Sequence, residues 1–321
     1  MKKELVTIIT PCYNGENYVE NLLKSIINQT YKKIEFIFVN DGSKDKTEQI
    51  IKKYEPEFKN KNIIFKYIKQ RNRGQAKAVD TGLKEIEGEY LIWADSDDYF
   101  EDDAIENMVN FLKNNPKYSA VRGEVAFRKF DDKENIERIG KSKNPENEDL
   151  FVNYIVQEDV YCFIGVMMVK TEKFLKTNKG RNIYINRAGQ NWQLILPSVY
   201  KGKTGYINKV TYNYLIRENS HSHQKENAIK FLQKIENHKK ILTHTINKIV
   251  DDDKEKEKYK KMIEEKYTTQ QKEFLKYKFR HFSKEHIKYK FRHFSKEYIK
   301  YKFRNWNLNY IRCKIKEWNK K

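Results

Sequence analysis

Three carboxylates fall within four residues at Asp95-Ser96-Asp97-Asp98, directly after the apolar run Tyr90-Leu91-Ile92-Trp93-Ala94. Like charges that close repel, and such a group is costly at a strand end unless a cation neutralises it. Hard oxygen ligands suit Mg²⁺ or Mn²⁺, which keeps several waters and bridges to substrate phosphates. A bare Asp-x-Asp spacing is also what ordinary acidic turns show, so position has to decide. Two earlier polar turns follow apolar runs in the same way. Thr10-Pro11-Cys12-Tyr13-Asn14-Gly15 begins with a proline that should end the strand's hydrogen bonding, and Asn14-Gly15 suits a tight turn. Such a turn can set backbone groups and an aromatic edge against a planar base. In Val39-Asn40-Asp41-Gly42-Ser43 the carboxylate can accept the N3–H of uracil, which cytosine lacks, although Asn-Asp-Gly-Ser alone is also a common turn. Late in the chain, Arg217 ends an aromatic run and leads into Glu218-Asn219-Ser220-His221-Ser222-His223. Arg217 can form a fork to phosphate oxygens. His221 or His223 can complete a metal shell or act as a base, or both can be exposed loop histidines.

The elements that must hold these turns are legible from periodicity. Residues 5–10, 34–40, 63–68 and 90–94 read as short buried strands. Between and after them, Val19/Leu22/Leu23/Ile26, Ile50/Ile51/Tyr54, Ala78/Leu83/Ile86 and Ile105/Met108/Val109/Leu112 recur at helical spacing. Strand–helix alternation predicts a mostly parallel, doubly wound α/β sheet, whose ligands sit outside the carboxyl ends of the strands. Residues 131–149 are polar and read as a mobile loop or surface excursion. Helices near 150–156 and 193–200 and strands near 166–170 and 210–216 complete the pattern. From Lys225 onward there is no Gly or Pro, and the pattern is helical.

The net charge of +20 is unevenly placed: residues 254–321 hold 23 lysines and arginines against 8 acidic residues, leaving only +5 on the rest. A basic tail on a near-neutral domain suggests an address or anchor, and the acidic 95–98 cluster argues against a nucleic-acid-binding protein. Within the tail, residues 276–287 and 288–299 match at 11 of 12 positions, and residues 300–311 repeat the theme loosely. Twelve residues overshoot three helical turns by about 120°, so each apolar stripe faces a new direction. Aromatics beside Lys and Arg suit an anionic membrane surface; packing on the main domain and oligomer formation are the rivals. No apolar run reaches the length of a bilayer span. Three scattered cysteines point to a reduced, cytosolic setting, with the inner face of the membrane as a peripheral location.

The turns, taken in order, resemble the family 2 glycosyltransferases. The matching stretches are VTIITPCYNGENYVENLLKSIINQTY, IEFIFVNDGSKDKT, RNRGQAKAVDTGL and GEYLIWADSDDYF, from Val6 to Tyr99, with a looser likeness to Ser222. The resemblance implies a GT-A fold over residues 1–223, followed by a basic helical extension over 224–321 that contains the 276–311 repeats. It implies transfer of a sugar from a nucleotide-diphosphate donor, a UDP-sugar, to an acceptor hydroxyl on a bacterial surface polysaccharide or lipooligosaccharide. By the same likeness Pro11, Tyr13 and Asp41 surround the uracil, Asp95 faces the ribose and Asp97 ligates Mn²⁺ or Mg²⁺, and Asn14 in the turn after Tyr13 joins the nucleotide-binding set as part of that turn. Two departures stand out. Ala78-Val79-Asp80-Thr81-Gly82 replaces a family Ala-Arg-Asn-x-Gly, so Lys77 or Arg73 has to serve the diphosphate. Gln190-Asn191 stands where inverting members carry Glu-Asp, whose Asp is the general base, and an amide cannot take that proton. Asp98 and His221 are then the candidate bases, with Gln190 and Asn191 holding the acceptor. The rival reading is a donor-binding partner subunit with impaired catalysis.

Overall fold

The structure is a computed structural model and describes residues 1–186, 190–217 and 228–280. In chain order the elements are β1 (Lys2–Cys12), α1 (Val19–Ile27), β2 (Ile34–Asn40), α2 (Thr47–Asn60), β3 (Ile64–Lys69), α3 (Gln75–Lys84), β4 (Gly88–Trp93) and β5 (Tyr99–Phe100). There follow α4 (Ala104–Asn114), β6 (Tyr118–Lys129), β7 (Ile136–Gly140), α5 (Phe151–Val156), β8 (Met167–Lys170), α6 (Thr171–Asn178), α7 (Asn191–Val199), β9 (Lys203–Ile216), α8 (Ala228–Ile249) and α9 (Asp253–Arg280).

One nine-stranded sheet runs β3-β2-β1-β4-β8-β6-β9-β5, with β7 beside β6. β1 pairs parallel with β2 and β4, and β2 with β3, which makes the expected doubly wound half. β8 enters antiparallel between β4 and β6, while β6 and β9 run parallel over most of their length. Adjacent side chains in the central strands point to opposite faces, and both faces are covered, so these strands read as continuous apolar runs. Ile8, Phe36, Phe38 and Ile92 meet α1, α2 and α4, whereas Ile9, Ile37, Leu91 and Trp93 meet α3, α5, α6 and α7.

Several features differ from the sequence expectation. β5, β6 and α6 are additional elements, and the polar stretch 131–149 contains β7, which pairs with the second half of β6. β1 also continues through Pro11, which sits opposite Val39, to Cys12. Ile9 turns its carbonyl toward Ala94 beyond β4, and Cys12 turns its carbonyl toward Asp41 beyond β2. By alternation the Pro11 nitrogen faces the side where β4 has already ended, so its missing N–H breaks no ladder.

Residues Met1–Tyr267 make one compact unit and Thr268–Lys321 a second. The first extends past residue 223 because α8 and the start of α9 contribute Ile241, Leu242, Ile246, Ile249, Tyr259, Ile263 and Tyr267 to its core. Among the described residues no helix is long and apolar enough to cross a membrane. Of the 276–311 repeats, all but the backbone of 276–280 lies outside the described residues.

Candidate active site

The carboxyl ends of β1, β2 and β4 face the same end of the sheet, and their turns are tied to one another by short polar contacts. Asn14 takes a left-handed conformation (φ +53°), donates its N–H to Ser43 Oγ at 2.9 Å, and accepts the Lys44 N–H on its side-chain oxygen at 2.9 Å. Gly15 N–H reaches Thr47 Oγ1 at 2.7 Å, and a Cβ on Gly15 would come 2.5 Å from Cys12 Sγ, so only glycine fits. Tyr13 projects from this platform with 44% of its surface exposed, a ring held by its backbone and open to a ligand.

Asp41 is buried under the turn that starts α3. Its Oδ1 accepts from Gln70 Nε2 at 2.6 Å and the Arg73 N–H at 3.0 Å, and its Oδ2 from the Gly74 N–H at 2.8 Å. It therefore shapes the 70–74 turn whatever else it binds. Arg73 is exposed on that turn. Lys77 is not free for a phosphate here, because its ammonium bonds Asp80 at 2.7 Å. Asp80 also accepts the Ile183 N–H at 3.2 Å, so the residue that breaks the family's Ala-Arg-Asn pattern tethers the segment leading toward Gln190.

Three different fates befall the acidic cluster. Asp95 donates its N–H to the Tyr212 hydroxyl at 3.1 Å and accepts from Gln75 Nε2 at 2.7 Å. Burial first, then the charge of Asp97, pushes its carboxyl up to about 7. Asp98 is 1% exposed and accepts the Leu215 N–H at 2.9 Å; burial, then Asp97 and Asp95, raises it well above the usual carboxylate range. That geometry makes Asp98 a fastener between the acidic turn and β9, with its Oδ1 already occupied. Asp97 is half-buried and pairs with the Arg217 guanidinium, which lies 4.5 Å from the centre of the Tyr18 ring. Asp97 is thus a carboxylate whose charge is already met by a cation. Among the described residues no group of three His, Cys, Asp or Glu side chains could cage a metal. The donor set suits a hard cation held by one or two carboxylates and completed by water and phosphate oxygens.

At the late helix, Gln190 is 2% exposed and its Oε1 has no hydrogen-bond partner among the described residues, while Asn191 Nδ2 donates to the Cys162 carbonyl at 2.6 Å. The structure thus brings Pro11, Tyr13, Asn14, Asp41, Arg73, Asp95, Asp97, Asp98 and Arg217 to the strand ends, whereas Lys77 faces Asp80. His221 and His223 lie outside the described residues. Gln75, Tyr18 and Tyr212 were not anticipated. Gln75 had a signal, since it opens a helix after a glycine turn; Tyr212 had none beyond the aromatic alternation of its strand.

The glycosyl transferase family 2 model matches residues 7–175, more than half of the chain, and the chain belongs to that family. It is 33% identical over 222 residues to the glycosyltransferase GlyA of Streptococcus pneumoniae, covering 67% of this chain and 31% of that protein. It is 38% identical over 126 residues to the poly-beta-1,6-N-acetyl-D-glucosamine synthase of Staphylococcus epidermidis, covering 39% of this chain and 29% of that one. The chain therefore spans about a third of the length of these curated relatives. Its fold is similar to residues 1–349 of S. aureus TarS solved in complex with UDP-GlcNAc, with a TM-score of 0.61 and 21% identity, covering 83% of this chain and 73% of that one. The likeness establishes the fold, a GT-A-type α/β sheet.

Proposed function

We propose that this chain transfers a sugar from a UDP-sugar to an acceptor hydroxyl of a bacterial surface glycan, with Mn²⁺ or Mg²⁺ held at Asp97. The observation that carries the reading is the pairing of Asp97 with Arg217 at the end of β4, beside the open Tyr13 ring and the Asp41-bound turn. The relatives act in the same sense: one is a poly-N-acetylglucosamine synthase, and the structural neighbour binds UDP-GlcNAc. Tyr13 stacks on the uracil and Asp95 takes the ribose hydroxyls. Arg217 exchanges Asp97 for the diphosphate oxygens, where its planar fork fits two of them. A divalent cation at Asp97 would neutralise the charge that grows on the departing diphosphate. The acceptor hydroxyl attacks the anomeric carbon from the opposite side, with inversion.

Asp98 is tied to Leu215 and Asn191 to Cys162, so neither is poised to take the acceptor's proton. His221, beyond Arg217 in the chain, is the residue we assign to that task, and Gln190 contacts the acceptor. The reaction belongs on the cytoplasmic side, and the basic tail is a means of resting on an anionic membrane surface.

Calorimetric titration of UDP, GDP, CMP and dTDP, each with and without Mn²⁺, against wild type and Asp97→Ala tests the reading. Tight binding of UDP that requires Mn²⁺ and disappears in the variant is expected. Failure of every nucleotide to bind would leave only the fold.

A further inference from the structure

The donor half of the site uses the ends of β1, β2 and β4. On the other side of the acidic turn lie the ends of β6 and β9 and the chain that enters β8, and these carry a group of aromatic rings with no part in the donor site. Phe163 lies 4.8 Å from Tyr214, 5.7 Å from Phe127 and 6.0 Å from Tyr161, measured between ring centres. Tyr161 and Phe163 are nearly parallel, with 13° between their planes. Phe127 is buried beneath the others, whereas Tyr161, Phe163 and Tyr214 keep part of their surface in solvent. Gly140 at the end of β7 seats the Tyr161 ring, since a Cβ there would come 2.8 Å from it.

Two bonds fix this group to the catalytic elements. Cys162, between the two parallel rings, gives its carbonyl to Asn191 at the start of α7. Leu215, the neighbour of Tyr214, gives its N–H to Asp98. Two residues before Tyr214, the ring of Tyr212 packs on Gly165, so closely that a Cβ there would be 2.1 Å away, and its hydroxyl accepts the Asp95 N–H. The rings therefore stand between the acidic turn and the late helix. On the transferase reading, this is the side of the acidic turn that the donor elements leave to an acceptor.

We infer that Tyr161, Phe163 and Tyr214 form the platform on which a pyranose ring of the acceptor glycan rests. A sugar's face of axial C–H groups is apolar and weakly positive, and the face of an aromatic ring is apolar and negative. Such sites combine aromatic walls with a few polar groups that fix orientation. Here the exposed Arg138 guanidinium, stacked 3.4 Å from the centre of Phe127, is such a polar group beside the rings. The inference rests on the transferase reading above.

The test is saturation-transfer NMR on the full chain with UDP and Mn²⁺, probing methyl β-N-acetylglucosaminide, methyl β-glucopyranoside and chitobiose. Wild type, Tyr161→Ala, Phe163→Ala and Phe163→Leu are compared, with UDP affinity measured in parallel. Phe163→Leu keeps an apolar side chain of similar bulk and loses only the ring. Transfer to the axial protons of at least one sugar is expected in wild type. It should weaken tenfold or more in all three variants while UDP affinity stays within twofold. Equal sugar binding in Phe163→Leu and wild type, or no sugar binding in a wild type that binds UDP, overturns the platform. If wild type binds no UDP, the transferase reading falls, and the platform falls with it.

Discussion

Replacing Asp41 by Asn separates two roles that the same carboxylate could fill. Its two oxygens receive three donors: Gln70 Nε2 and Arg73 N–H on one, Gly74 N–H on the other. The side chain is 2% exposed, so water cannot replace what is lost. An amide offers one acceptor and one donor. In its better orientation the oxygen keeps Gln70 and Arg73, and the NH₂ is driven against the Gly74 N–H. One charge-assisted bond worth about 1.5–3 kcal/mol goes, and two others weaken toward the roughly 1 kcal/mol of neutral bonds. With some relaxation of the turn, Asp41→Asn should cost about 2–4 kcal/mol of folding stability. Urea unfolding at unchanged slope reads this directly. Calorimetry on the folded fraction should show weaker UDP binding too, because the loosened turn carries Arg73 and leads to Gln75, the partner of Asp95. A variant as stable as wild type to within about 0.5 kcal/mol would refute the bracing role. If such a variant also lost UDP, Asp41 would be purely a reader of the base.

Other perturbations probe neighbouring contacts. Tyr13→Ala removes an open ring, so it should leave stability unchanged while weakening UDP binding by about 1–2 kcal/mol, in line with base–aromatic stacking; equal affinity in calorimetry would remove Tyr13 from the site. Burial works against the charge of Asp80, but the Lys77 ammonium and the Ile183 N–H outweigh it and hold the carboxyl below its ordinary value. That stabilisation is present above about pH 4, the unfolded value, and is lost as pH falls through the folded one. Asp80→Asn should therefore be less stable than wild type at pH 7, with the gap in urea midpoint closing toward pH 3; a constant gap would show that the charge is irrelevant. Arg217→Gln leaves Asp97 without its cation. The pair is half-buried, between the roughly 0–1 kcal/mol of exposed bridges and the 3–5 of buried ones, so Mn²⁺ affinity without nucleotide should rise about tenfold. Mn²⁺ titration by electron paramagnetic resonance checks it, and an unchanged affinity would mean that Arg217 does not shield Asp97.

What could be seen in the sequence follows from which forces are local. The parallel half of the sheet was legible because β1, β2 and β4 are buried on both faces, and a short, continuous apolar run between turn residues fits a doubly covered strand better than a surface helix. The polar turns were legible for the same reason, since strand ends are where such a sheet displays its chemistry. β6 was not, because buried charges interrupt its alternation. The terminal nitrogens of Arg122 bond Ser142 and the Asp159 carbonyl, and Glu124 meets Tyr206 and Lys141, all distant in sequence. Partners that far away leave no periodic trace. Val79 stands where the family's arginine would be, and only its bonds to Lys77 and Ile183 show the neighbouring Asp80 as a tether. Asp98 looked like an available base, but its 1% exposure and the Leu215 N–H on its Oδ1 show it fastening the acidic turn to β9.

The Gln190-Asn191 pair raises the question of whether a carboxylate at 191 would make a better enzyme. The Asn191 amide nitrogen donates to the Cys162 carbonyl at 2.6 Å, a bond that only a donor can make. Asn191→Asp would set an anionic oxygen against that carbonyl, acceptor facing acceptor. The cost is the lost bond plus a desolvated carbonyl, about 1–3 kcal/mol, and segment 161–163 would have to move to relieve it. The substitution that restores the family's residue should thus lower stability and slow transfer. The rate should fall mainly through a raised acceptor KM, because Tyr161 and Phe163 flank the displaced carbonyl. Thermal unfolding and initial rates at several pH values separate the possibilities. If Asn191→Asp instead raised kcat in a form that titrates as a single carboxylate, then residue 191 would face the acceptor hydroxyl after all. The bond to Cys162 would then be dispensable, and the base assigned to His221 would have to be withdrawn.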